Sequence, residues 1–217
     1  MTYTLNTTII NPKSSQKPKN AVILCHGYGG DGKDISILAN YWKNYLPETI
    51  FICPDAPEKC VVSATGFQWF DLMDQTKDEI LTKSLVAEIK LNKLIDEVKD
   101  NLNLKSKNII LGGFSQGCMI SIQTGLKRTD KIKAIIGYSG KIISTDHLSK
   151  NINSRPKVIL MHGDKDEVVP IESFLEAKEF FMKNDYSIEA KIFKNCEHRI
   201  PQEGSSLGLE FIKKNLY

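Results

Sequence analysis

Apolar residues fall into short continuous runs separated by longer stretches with helical spacing. The runs at 21–25 (Ala-Val-Ile-Leu-Cys), 49–53 (Thr-Ile-Phe-Ile-Cys), 107–112, 132–138 and 157–162 are rich in β-branched residues. They predict strands, the continuous runs among them buried on both faces. Residues 2–10 alternate as a half-exposed strand does, and 187–193 predicts a last strand. Helical spacing appears at about 35–45, 84–102, 116–128, 171–184 and 205–216. In the clearest of these, Leu85, Ile89, Leu94, Ile95, Val98 and Leu102 are expected to share one face against lysines and acids.

Strands that alternate with helices imply an α/β fold, with a mostly parallel central sheet covered by helices on both faces. A chain of 217 residues has room for one such domain, expected to span 1–217. Residues 11–20 read as a polar connection, and 58–83 as the longest irregular stretch. Only about eighteen residues (139–156) separate the strands at 132–138 and 157–162, so no large lid domain is expected there.

Charge narrows the function. The formal net charge is +3, with the basic residues scattered among 26 acids, which argues against a nucleic-acid groove. No tract has the length of a membrane span, and the first twenty residues hold no apolar signal core. The five cysteines show no C-x-x-C spacing, and Cys25, Cys53 and Cys118 sit within apolar segments. These features predict a reduced, cytoplasmic protein without a transmembrane segment; monomer and homodimer both stay open.

The chemistry begins at Gly113-Phe-Ser115-Gln-Gly117, a G-x-S-x-G match between a predicted strand and a predicted helix. Such a turn holds the serine in strained geometry above the sheet edge, and a β-carbon at either glycine would collide with a neighbouring element. A serine hydroxyl is a weak nucleophile and needs an imidazole to take its proton, with a carboxylate fixing the tautomer. Two later strand ends supply candidates: His162-Gly-Asp164-Lys-Asp166-Glu-Val168-Val-Pro170, and Glu197-His198-Arg-Ile-Pro201. In a parallel sheet these loops share the edge that presents Ser115. Asp166 is preferred over Asp164, which directly follows a glycine turn and is better placed to bond loop amides. His198 is then the base. His26 and His162, each before a glycine, read as buried loop-organising histidines, and His147 as a surface residue.

With these pieces placed, the chain resembles the phospholipase/carboxylesterase family of small α/β-hydrolases, which includes the acyl-protein thioesterases. The matching motifs are 26–32 (His-Gly-Tyr-Gly-Gly-Asp-Gly), 54–57 (Pro-Asp-Ala-Pro), Trp69-Phe70-Asp71, 113–117, 162–170 and 198–203. That resemblance implies a serine carboxylesterase with Ser115, Asp166 and His198 as its triad, working through an acyl-enzyme. It also implies an oxyanion hole from the backbone amides of Tyr28 and Gln116. The alternative within the family is an acyl-protein thioesterase or lysophospholipase acting on long-chain acyl groups. The expected partner is a small-molecule or lipid ester, or an acylated protein, with no metal or cofactor. The family more usually has leucine where Tyr28 stands and a small residue where Cys118 stands. Trp69 and Phe70 either anchor the long loop or wall the acyl site. Val168, beside Asp166, is a further candidate substrate contact, and Asp71 reads as a loop-stabilising carboxylate.

Two rivals are weaker. Gly27 to Lys33 fits a phosphate-binding loop until its last position, where Asp34 replaces the required Ser or Thr and Asp31 would repel phosphate. A non-catalytic binding module has no need of serine, acid and histidine at three strand ends.

Overall fold

The computed structural model describes residues 2–14, 16–73 and 75–216. Ser15, in the predicted polar connection, and Asp74, in the predicted irregular stretch, lie outside the described residues. The elements follow in the order β1 (Thr7–Ile10), β2 (Asn20–Cys25), α1 (Gly32–Trp42), β3 (Thr49–Pro54), β4 (Glu58–Lys59), β5 (Phe67–Gln68) and α2 (Lys77–Leu102). After these come β6 (Ile109–Phe114), α3 (Gln116–Lys127), β7 (Ala134–Tyr138), α4 (Thr145–Ser149), β8 (Lys157–Gly163), α5 (Ile171–Lys183), β9 (Glu189–Phe193) and α6 (Gln202–Leu216).

Seven strands form the central sheet in the order β1-β3-β2-β6-β7-β8-β9. All neighbours are parallel except β1, which runs antiparallel to β3 at one edge. Successive side chains point to opposite faces, so each continuous apolar run feeds two cores. Val22, Leu24 and Phe51 pack under α1 and α6 with Trp42, Phe211 and Ile212. Ile23, Ile52 and Leu111 pack under α2, α3 and α5 with Leu91, Ile122 and Phe181. This is the expected α/β-hydrolase arrangement. Only residues 139–156, including the short α4, join β7 to β8, so no large lid covers the carboxyl edge of the sheet.

The structure departs from the sequence reading around α2. This helix begins at Lys77, inside the stretch read as irregular, because Thr76 and Glu79 form a reciprocal capping box. The same stretch also contains the β4–β5 hairpin. The buried face of α2 differs as well: Leu85 is half-buried and Ile89 is exposed. Ser84 and Glu88 occupy interior positions instead, since Gln123 of α3 hydrogen-bonds both and Lys127 pairs with Glu88 at 2.8 Å. Leu94, Ile95, Val98 and Leu102 are buried as expected, and the polar cluster replaces the apolar stripe only in the first half of the helix.

All five cysteines are free and buried. Among the described residues no helix is long and apolar enough to cross a membrane. Replacing Thr76 with Ala is expected to lower stability by about 1 kcal/mol, the usual worth of an N-cap side chain. Urea unfolding measures this, and an unchanged midpoint would mean that α2 does not depend on its cap.

Candidate active site

Ser115 lies between β6 and α3 with φ 54° and ψ −118°, a region that side chains rarely occupy. Close packing holds it there. A Cβ on Gly113 would fall 2.3 Å from the Gly117 carbonyl, and one on Gly117 would fall 2.1 Å from the Cys25 carbonyl oxygen. Only glycine lets β2, β6 and α3 meet this closely. The Ser115 amide donates to the Tyr138 carbonyl at 2.8 Å, which ties the turn to the end of β7.

Asp166 and His198 meet directly. The His198 Nδ1–H donates to Asp166 Oδ2 at 2.7 Å. The Asp166 side chain is shielded from solvent, and its other oxygen accepts the Val168 and Val169 amides at 3.0 and 2.8 Å. Burial by itself would raise the Asp166 pKa. The His198 bond, the Val169 amide and the two facing imidazoles outweigh it and hold the carboxyl below its ordinary value. Asp164 instead accepts the Cys196 amide. The loops that carry acid and histidine are also joined through the main chain, with Asp164 N–H donating to Phe193 and Lys165 N–H to Cys196. The His198 ring rests on Phe114, the residue before Ser115, with ring centres 4.7 Å apart. Ser115, Asp166 and His198 thus follow the ends of β6, β8 and β9 on one edge of the sheet, with Asp166 bonded to His198 and the His198 ring against the neighbour of Ser115.

The loop after β2 closes over the serine. A Cβ on Gly27 would lie 3.3 Å from Ser115 Cβ, so the Gly27–Tyr28 backbone runs against the Ser115 turn. Gln116 is the first residue of α3, where an amide has no carbonyl of its own helix to pair with. The buried His26 fixes the base of this loop. Ala56 N–H donates to His26 Nε2 at 2.9 Å, so Nδ1 carries the proton and donates to the Gly27 carbonyl at 2.7 Å. Asp55 accepts the Gly32 amide and the Asn6 side chain, which accounts for the Pro-Asp-Ala-Pro segment. Asp31 caps α1 by accepting the Asp34 amide.

A family model described as Phospholipase/Carboxylesterase matches residues 6–216. The chain belongs to the phospholipase/carboxylesterase family. Acyl-protein thioesterase 1 of Saccharomyces cerevisiae is 31% identical over 216 residues, covering 93% of this chain and 95% of that protein. Its counterpart in Schizosaccharomyces pombe is 32% identical over 178 residues, 78% of each chain. The crystal structure of esterase PE8 superposes with a TM-score of 0.92 at 33% identity, covering 98% of this chain and 99% of the other.

In this phospholipase/carboxylesterase chain the remaining candidates occupy three different settings. Trp69 is completely buried, and its indole N–H donates to the His26 carbonyl in the loop after β2. Phe70 lines a cavity of about 410 Å³ together with Leu72, Ile80, Met119, Ile142 and Ile143. Val168 is exposed next to Asp166. The Tyr28 hydroxyl is buried beside the Cys60 thiol, and burial, with that neighbour, pushes its pKa up to about 12. Asp71 accepts the Met73 amide and pairs with Lys83, which makes it a loop stabiliser. His147 is half-buried, with Nε2 at 3.2 Å from Lys127 Nζ. The sequence reading missed the side chain of Gln116, which is fully buried and bonds the Trp69–Phe70 backbone. Its signal was a large polar residue enclosed between two glycine-tight elements.

His162 is as buried as His26. Its Nε2–H donates to the Val169 carbonyl at 2.7 Å and lies 3.4 Å from Asp166 Oδ2. Burial lowers the pKa of both imidazoles below the ordinary 6.5, more than their backbone bonds and nearby carboxylates raise it. The unfolded chain therefore takes up these protons at a higher pH than the folded one. Stability is complete above about pH 6.5 and declines as acid is added, by at most about 1.4 kcal/mol per pH unit for each group. Urea midpoints measured from pH 7.5 to 5 should fall, and less steeply for His162→Gln; equal slopes would show that His162 is not linked to folding.

Proposed function

We propose that this protein is a serine hydrolase that cleaves carboxylic esters, and thioesters by the same route, through an acyl-enzyme. The bond between Asp166 and His198 carries the reading. Because Nδ1–H is committed to Asp166 Oδ2, the lone pair of His198 sits on Nε2. That nitrogen accepts the proton as Ser115 Oγ attacks the carbonyl and returns it to the leaving alcohol or thiol. Asp166 stabilises the imidazolium formed in between. The amides of Tyr28 and Gln116 receive the developing oxyanion, one from a loop and one from a helix N-terminus. Water, activated by the same imidazole, then releases the acid.

The cavity walled by Phe70, Leu72 and Met119 suits the acyl chain. Phe70, Leu72, Ile80, Met119, Ile142 and Ile143 give it an apolar side that would hold a hydrocarbon, and Lys77, Asp78, Lys141, Asp146 and Glu176 make the rest of its lining polar. The similarity to acyl-protein thioesterases over nearly the whole chain favours a second reading, in which the acyl group is long and the leaving group is a protein cysteine. The five free, buried cysteines support a reducing, cytoplasmic setting for one catalytic domain.

Nitrophenyl esters from acetyl to palmitoyl test both readings. Ser115→Ala is expected to lower turnover by about 10⁴–10⁶, the scale of measured triads, and to abolish labelling by a fluorophosphonate. A short-chain optimum supports a general carboxylesterase, and a long-chain optimum supports the thioesterase reading. Hydrolysis that survives Ser115→Ala at every chain length would overturn the mechanism.

A further inference from the structure

The segment from Gly66 to Phe70 lies between the two stretches of backbone assigned above to the oxyanion. On one side it pairs with the loop after β2. Gly29 N–H donates to the Phe67 carbonyl at 2.9 Å, and Phe67 N–H donates to the Gly30 carbonyl at 2.8 Å. The approach is so close that a Cβ on Gly66 would fall 1.9 Å from the Gly29 carbonyl oxygen.

Two residues on, the same segment pairs with α3. Trp69 N–H donates to Gln116 Oε1 at 2.8 Å, and Gln116 Nε2 donates to the Phe70 carbonyl at 2.6 Å. The primary amide of Gln116 thus imitates a neighbouring strand. The indole of Trp69 completes the link, with Nε1–H donating to the His26 carbonyl at 3.1 Å. His26 is itself fixed by Ala56 and Gly27. A single fully buried residue holds the helix end through its main chain and the loop through its ring.

We infer that Trp69 is a positioning residue that sets the spacing of the two oxyanion donors, the amides of Tyr28 and Gln116. The inference rests on the serine-hydrolase reading and goes beyond it. A neutral ester carbonyl is only weakly sensitive to where these amides lie, whereas a charged tetrahedral oxygen depends on both. Loosening the brace therefore acts on the transition state and leaves ground-state binding alone. A residue that walled the acyl site would do the reverse.

Trp69→Phe keeps an aromatic ring in the core and removes the N–H that holds His26. With a short-chain nitrophenyl ester, kcat is expected to fall about 10–100-fold, less than for deleting a donor outright, with KM within about twofold. The inhibition constant of a trifluoromethyl ketone, which forms a tetrahedral adduct with the serine, should rise by the same factor as kcat/KM falls. The pH of half-maximal rate should not move, because the Asp166–His198 pair is untouched. Gln116→Leu cuts the other end of the brace without removing the backbone donor, and should give the same pattern if Trp69→Phe does not fold. A raised KM at unchanged kcat would make Trp69 a substrate wall and overturn the inference. So would a variant with a lower Tm but wild-type kcat and ketone affinity. A wild type that neither labels at Ser115 nor binds the ketone would sink the serine-hydrolase reading and the brace together.

Discussion

The strained backbone at Ser115 is the constraint on which the rest of the structure depends. A non-glycine residue at φ 54° and ψ −118° costs on the order of 1–3 kcal/mol and persists only where its surroundings over-determine it. Here β2 and β7 flank β6 on either side, and α3 is pressed onto the Cys25 carbonyl through Gly117. β6 is the middle strand of the seven, with three on either side. A turn between that strand and a buried helix can store strain that a surface loop would relax. The outer strands and helices keep this one turn from opening.

The site shows the same logic in its polar groups. Asp166 is sealed from water, yet its oxygens face two amides and two imidazoles, so its charge is compensated without a cation. His26 and Gln116 are also buried, and each bonds backbone through both its donor and its acceptor atom. Buried polar groups that are satisfied in every direction fix one arrangement of the loops around them. Placing four loops from four strands to within tenths of an ångström requires this kind of bonding, because apolar packing alone is less directional.

Much of this was legible in the residues. Continuous apolar runs gave the parallel strands because both faces of the sheet are covered, and the glycines around Ser115 gave the turn because no other residue fits there. Asp166 and His198 followed from chain order and from the edge that a parallel sheet presents. What escaped was set by pairing between distant segments. The start of α2 lay in a polar stretch whose cap, Thr76 with Glu79, has no apolar periodicity to mark it. Ile89 faces outward because Glu88 and Ser84 find partners on α3, and no local pattern encodes a partner in another helix. The phosphate-loop likeness at Gly27–Lys33 has a structural basis: Asp31 serves as a helix cap, and Gly32 lets α1 pass the Cys53 carbonyl. Trp69 and Gln116 could be seen as candidates, but not as partners.

The buried thiols give the fold an internal clock. Burial pushes the Cys25 and Cys118 thiols up to about 12, and alkylating reagents react with the thiolate. Cys118 lies one turn beyond Ser115, its sulfur filling the space where a Cβ on Gly137 or Gly140 would come within 2.5 Å. Reagent reaches it only when α3 parts from β7, and Cys25 only when β2 parts from its neighbours. The alkylation rate at Cys118 is therefore a measure of how often the Ser115 turn itself comes apart. A buried sulfur three residues past the strained serine thus reports on how firmly that turn is held.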